Sequence, residues 1–123
     1  MSTIRPAAFG ASREGVELTP CRYCVLENII EGDAPQEFEH IFHASADGAF
    51  VVGLWSCTPC TERVTSYPTD EFCVVLEGRV VLTSDDGASA EYREGDAFVI
   101  QRGWSGTWAM PKPFTKHFVS GPG

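Results

Sequence analysis

Long apolar runs are missing from this 123-residue chain. Nothing in it approaches the roughly 20 consecutive apolar residues that a membrane helix needs, so no membrane partner is expected. Met1 to Pro6 leads into no apolar core of the kind that export signals carry, which makes the cytoplasm the expected location. Cations are also scarce: nine Lys and Arg stand against 17 Asp and Glu, for a net charge of -8. Nucleic-acid affinity comes largely from Lys and Arg displacing counterions from phosphates, so that balance opposes a nucleic-acid partner. Helical periodicity is absent as well. No window of about 11 residues sustains apolar positions at helical spacing, apart from residues 35–43, where Phe38, Ile41 and Phe42 could share one helical face. The alternation of that same stretch favours a strand. An even complement of cysteines is lacking too. Five of them, Cys21, Cys24, Cys57, Cys60 and Cys73, in a reducing compartment argue against a disulfide framework.

What is present is β chemistry at short intervals. With 43% hydrophobic and 21% charged residues the composition is that of a folded globular chain, and its length suits a single domain. Residues 1–35 read as an N-terminal arm with a short strand around Val25 to Ile30, ended by Gly32-Asp33-Ala34-Pro35. From residue 36 to 120, stretches dense in β-formers alternate with turn residues. Phe38–His43 and Ala49–Trp55 flank Asp47-Gly48 as a hairpin. Glu62–Tyr67, Phe72–Leu76, Arg79–Thr83, Ala88–Arg93, Ala97–Ile100, Gly106–Ala109 and Phe114–Val119 follow. About nine strands with no helices to cover a sheet must close on one another, so the expected fold is all-β, a jelly roll or barrel.

Two segments carry a resemblance that periodicity alone does not supply. In Thr69–Val80, Glu71 is followed after six residues by Gly78; in Gly95–Gly103, two glycines bracket Asp96-Ala97-Phe98-Val99-Ile100-Gln101-Arg102. These resemble the two motifs of the cupin superfamily. Gly53-Leu54-Trp55-Ser56-Cys57-Thr58-Pro59, Gly103-Trp104-Ser105-Gly106-Thr107-Trp108 and Lys116-His117-Phe118-Val119 are similar to a subgroup of small single-barrel cupins, related to the barrels of (S)-ureidoglycine aminohydrolase and of an ethanolamine-utilisation protein. The resemblance implies a cupin-type jelly-roll barrel, commonly paired as a homodimer. It also implies where a metal would sit, and there the chain departs from the pattern. The positions of the three metal-binding histidines are held by Thr65, Tyr67 and Gly106, so that only Glu71 survives of the usual ligands. A divalent transition metal wants three or four converging N, O or S donors, so no barrel metal and no cofactor are expected.

Strand alternation then maps the lumen, because residues two apart share a face. With Glu71 pointing inward, as the resemblance to cupins implies, Cys73 and Val75 follow it, and carrying the same alternation through Glu62–Tyr67 puts Arg63, Thr65 and Tyr67 on the facing wall. Arg63 is expected to pair with Glu71 or to leave it free as a general acid or base. Trp108 shares a face with Gly106 and is expected in the space left by the missing histidine; Trp55 and Trp104 read as core or as cavity wall. Of Lys116 and His117, neighbours on the last strand, only one can face the lumen, and the residues leave open which. His40 and His43, three apart on a strand, read as surface groups. Cys21/Cys24 and Cys57/Cys60 form two C-x-x-C pairs, but 32 residues separate them, against about 15–20 in compact zinc ribbons, so idle buried thiols are the simpler expectation.

The function expected from these readings is binding of a small polar organic molecule, without a histidine-bound metal, by Arg63, Thr65, Tyr67, Glu71, Cys73 and Trp108. The alternative is a metal-dependent enzyme similar to the ureidoglycine or sugar-modifying cupins. A third reading is an interaction module stabilised by zinc on the two C-x-x-C pairs.

Overall fold

The computed structural model describes residues 4–10 and 12–121. In chain order its strands are β1 Thr19–Cys21, β2 Ile29–Glu31, β3 Glu37–Ala44, β4 Val51–Cys57, β5 Cys60–Val64, β6 Asp70–Glu77, β7 Arg79–Ser84, β8 Ser89–Arg93, β9 Ala97–Ile100, β10 Gly106–Met110 and β11 Phe114–Gly121. They form a six-stranded sheet, β1-β3-β4-β11-β6-β9, and a five-stranded sheet, β2-β5-β10-β7-β8. The result is the all-β jelly roll that the short strands lead one to expect. Residues 35–43 are extended, not helical: Phe38 and Glu39 pair with Ser56 and Trp55 across β3 and β4. Around Val25 to Ile30 the expected strand is a 3-10 turn at Leu26–Asn28 followed by β2. Among the described residues no helix is long and apolar enough to cross a membrane.

Period-2 patterning decides what goes inside. On β6, Glu71, Cys73 and Val75 are buried while Phe72 faces out; on β9 the same alternation buries Phe98 and Ile100. The two inner faces meet around an aromatic cluster in which the Trp108 ring touches Trp55, Phe98 and Phe114, with centroids 6.1 to 6.4 Å apart. Fully burying side chains of this size stabilises the fold by about 1.5–3 kcal/mol each. The glycine at the end of the first motif has a steric reason. Gly78, between β6 and β7, takes φ 77°, and a Cβ there would lie 2.2 Å from the Pro113 carbonyl oxygen.

The N-terminal residues are tied to both sheets. β1 pairs with β3, and β2 with β5. Phe9 stacks on Phe42 and meets the edge of His117, whose Nε2 donates to the Gly10 carbonyl at 2.6 Å. His117 therefore lies on the outer face of β11, and Lys116, its neighbour, points into the barrel.

Candidate functional site

The lumen closes on a buried cation. Lys116 is in register with Trp55 on β4 and Val75 on β6, which places it between the two strands at the inner face. Its side chain is 6% exposed and that of Glu71 11%, and Lys116 Nζ donates to Glu71 Oε2 at 2.6 Å. Two further donors converge on the same oxygen: the Tyr67 hydroxyl at 2.9 Å and the Cys73 thiol at 3.2 Å. The ammonium also sits 4.7 Å from the Trp108 ring centroid and 5.2 Å from that of Trp55, so two indole faces share the burden of its desolvation.

These neighbours set the protonation states. Burial alone would raise the Glu71 carboxyl, but the Lys116 charge and the hydrogen bonds from Lys116, Cys73 and Tyr67 together hold it below its ordinary value. Burial likewise works against the Lys116 charge and is outweighed by Cys73, Glu71 and Tyr67, so that its pKa lies well above the ordinary lysine value. Burial pushes the Tyr67 phenol up, and Cys73 up to about 12, against the opposing Lys116 charge. At neutral pH the cluster is thus a carboxylate and an ammonium, with a phenol and a thiol that both keep their protons.

Above it lies a cavity of about 490 Å³, lined on the barrel side by Trp55, Val64, Tyr67, Glu71, Trp108 and Lys116 and on the N-terminal side by Tyr23, Cys24, Val25 and Asn28. Of the three tryptophans, Trp55 donates its indole N–H to Glu37 Oε1 at 3.2 Å and Trp104 donates to Ser84 Oγ at 2.9 Å. The Trp108 indole nitrogen is buried with no hydrogen-bond partner among the described residues. An unmet buried donor costs about 1–3 kcal/mol.

The structure rearranges the expected site. Tyr67, Glu71 and Cys73 meet as a hydrogen-bonded group, and Trp108 packs beside them against the Lys116 ammonium. Arg63 does not join. Its guanidinium is paired with Asp85 through both nitrogens on the outer side, although the residue borders the cavity. Thr65 is exposed at the cavity rim. The reason is a change of phase: β5 stops at Val64, and Ser66 takes φ 54°, so the alternation of Tyr67 cannot be carried back through Arg63. Instead Glu62 lies directly opposite Trp108 in the β5–β10 register and shares its inward face. The space at the missing histidine is also filled otherwise than expected. A Cβ on Gly106 would lie 2.2 Å from the Thr83 carbonyl oxygen and 2.7 Å from Trp104 Cζ2, so Trp104, not Trp108, crowds that position.

A cupin metal does not fit this set of residues. The point at which ligands would converge on Glu71 is occupied by the Lys116 ammonium, a fixed positive charge 2.6 Å from the carboxylate oxygen. Thr65 is exposed at the cavity rim, and position 106 has no room for a side chain.

Two other groups join the N-terminal segment to the barrel: Glu37, which no motif in the sequence marks, and three of the C-x-x-C cysteines. Glu37, 5% exposed, accepts the backbone N–H of Tyr23 at 2.9 Å and of Cys24 at 3.2 Å besides the Trp55 indole, and so pins the N-terminal segment to the barrel. Cys24, Cys57 and Cys60, from both C-x-x-C pairs, meet as a buried cluster. The signal for Glu37 is a single acidic residue opening a β-rich stretch, which exposed strand ends share.

Solved structures with the same fold include a DUF861-family protein of unknown function from Pseudomonas syringae pv. tomato, at TM-score 0.80 and 23% identity. That match covers 85% of this chain and 44% of the other, so the chain spans less than half of that protein's length. The EutQ protein of Clostridium difficile matches at TM-score 0.62 and 16% identity over 75% of each chain. The polyketide cyclase RemF of Streptomyces resistomycificus matches at 0.63 and 19%, over 98% of this chain and 78% of its own. Identities this low bear on fold alone. No functionally curated protein matches the chain. The sequence pattern of the EutQ-like cupin domain, however, matches residues 44–118, which takes in both motifs, the Glu71–Lys116 pair and most of the barrel, and the chain belongs to the EutQ-like cupin family.

Proposed function

We propose that the barrel binds a small polar organic molecule without a barrel metal, Lys116 supplying the positive charge that a metal supplies in other cupins. The observation that carries this reading is the Lys116–Glu71 pair at the floor of the cavity of about 490 Å³, a volume within the range of small-molecule sites. The cluster offers donors in the ammonium, the Tyr67 phenol and the unpartnered Trp108 indole, and an acceptor in Glu71, whose hydrogen bonds converge on one of its two oxygens. Flanking indole faces suit a ligand with a flat or apolar body. The matching ligand carries an oxygen acceptor, as a carbonyl or carboxylate does, together with a hydroxyl or amide donor for Glu71. Tyr67, Glu71, Cys73 and Trp108 are its binding residues, joined by Lys116 and Trp55; Arg63 and Thr65 remain at the rim.

The test is titration with a panel of small hydroxy acids, keto acids and amides while tryptophan fluorescence is followed. Saturable quenching by one chemical class, at least tenfold weaker in Tyr67→Phe, is the expected result. A panel without saturable response, or a response that appears only when a divalent metal is added, overturns the proposal. A homodimer is the assembly this reading adopts. Phe72 and Val99, cross-strand neighbours on β6 and β9, are 45% and 53% exposed on the outer face, and light scattering is to give twice the 13.4 kDa chain mass.

A further inference from the structure

Cys24, Cys57 and Cys60 are buried, and their sulfur atoms all lie within 4.8 Å of one another. They come from two parts of the chain that are far apart in sequence: Cys24 follows β1, whereas Cys57 ends β4 and Cys60 begins β5. Each part is held by contacts of its own. The Cys24 backbone N–H donates to the Glu37 carboxylate. The turn from Cys57 to Cys60 is fixed by Gln36, whose N–H donates to Thr58 Oγ1 at 2.8 Å and whose carbonyl accepts the Thr58 N–H at 3.1 Å. The sulfurs are therefore brought together by the fold and not by one flexible loop.

A carboxylate follows on the same strand. Glu62, two residues beyond Cys60 on β5 and so on the same face, acts electrostatically on the Cys24 thiol and accepts the Val25 N–H at 2.8 Å, its carboxylate lying outside the 4.8 Å sulfur cluster. Three thiolates and a carboxylate are a zinc ligand set. With Zn–S near 2.3 Å, tetrahedral ligation puts sulfur atoms about 3.8 Å apart, so the three sulfurs need at most about 1 Å of contraction, and the Glu62 carboxylate turns in to meet the ion.

We infer that Cys24, Cys57 and Cys60, with Glu62 as fourth ligand, bind a structural zinc ion that clasps the N-terminal segment to the barrel. Binding releases the three thiol protons to solvent, with no change of oxidation state. The site is separate from the cupin motif position, where Lys116 stands, and it does not depend on the barrel having a ligand. Its consequence for the cavity is mechanical. Tyr23, Val25 and Asn28, which line the cavity from the N-terminal side, follow Cys24 or flank it, so the ion holds one cavity wall in place. The spacing of 32 residues that separates the two C-x-x-C pairs is bridged by β3 and β4, which fold back on each other and return the chain to the same point. Cys21 lies outside the cluster.

The experiment is metal analysis of the full chain, purified under reducing conditions without added metal, together with cobalt substitution. One zinc per chain is expected, and cobalt should give intense thiolate-to-cobalt charge-transfer bands with the visible spectrum of a tetrahedral site. Cys24→Ser and Cys60→Ser should weaken zinc binding by about a hundredfold or more, while Cys21→Ser and Glu71→Gln keep the metal. Zinc retained by Cys24→Ser/Cys60→Ser overturns the inference, as does zinc lost in a folded Glu71→Gln. If the cysteine variants do not fold, the cobalt spectrum of the unmutated protein decides: thiolate charge-transfer bands uphold the site. Their absence, or a disulfide among these three residues, rejects it.

Discussion

Replacing Lys116 with methionine leaves the Glu71 carboxylate buried with no cation beside it. Breaking a buried ion pair from one side costs about 3–5 kcal/mol, because the remaining charge is uncompensated, whereas replacing both partners by apolar groups is often neutral or even stabilising by about 1–4 kcal/mol. With side chains 6% and 11% exposed, the Lys116–Glu71 pair belongs to the buried class. Lys116→Met should therefore lose at least about 3 kcal/mol at pH 7, and Lys116→Met/Glu71→Leu should recover most of it. For a urea m-value of about 1.5 kcal/mol/M the single variant loses about 2 M in midpoint. The pH dependence should reverse as well. In the unmutated protein the Glu71 pKa is held below its unfolded value of 4.5, so its contribution is present above that value and is lost as pH falls through the folded pKa. The raised Lys116 pKa adds a contribution that is complete below its unfolded value of 10.5 and is lost as pH rises through the folded pKa. Without Lys116, burial acts on Glu71 with no ammonium to oppose it and raises its pKa, so the folded state binds more protons than the unfolded and stability increases as pH falls from 7 toward 5. Urea denaturation at both pH values, followed by tryptophan fluorescence, measures each quantity. Equal losses in the single and double variants, together with unchanged pH slopes, would refute the pair's role.

Other perturbations test the placement of single residues. Gly106→Ala should cost about 1–3 kcal/mol by overpacking against Thr83 and Trp104, read as a lowered urea midpoint; Gly106→His should be worse and bind no barrel metal. Arg63→Ala removes an exposed pair with Asp85 and should leave both the midpoint and ligand quenching nearly unchanged; loss of quenching would return Arg63 to the site. Tyr67→Phe removes one hydrogen bond to Glu71 and should lower stability by about 0.5–1.5 kcal/mol, with no change in the exposure of Trp108 to a fluorescence quencher.

The barrel was legible because alternation and turn chemistry repeat along the chain, and each strand carries its own copy of the signal. The facing of β6 could be read from Glu71 onward since no irregularity interrupts it as far as Val75. The facing of β5 could not. The left-handed backbone at Ser66 changes the phase between Tyr67 and Val64, and a rule of period 2 gives no warning of it. Lys116 against His117 was undecidable from β11 alone, because each is as polar as the other. The choice depends on Phe9, Phe42 and Gly10, which receive His117, and on Glu71 and the two indoles, which receive Lys116. These are contacts between residues as many as 107 positions apart. The meeting of Cys24 with Cys57 and Cys60 depends in the same way on the β3–β4 hairpin, which separates the pairs in sequence and brings them together in space.

The most direct test of a metal-independent barrel is the Trp108 indole N–H resonance in 15N-labelled protein, titrated with the small hydroxy acids, keto acids and amides of the panel. The account predicts a saturable shift of that resonance with one class in protein as purified, unchanged by added manganese, iron or zinc and lost when Glu71 and Lys116 are replaced by leucine and methionine. A resonance that no compound moves, or that moves only once metal is added, contradicts it.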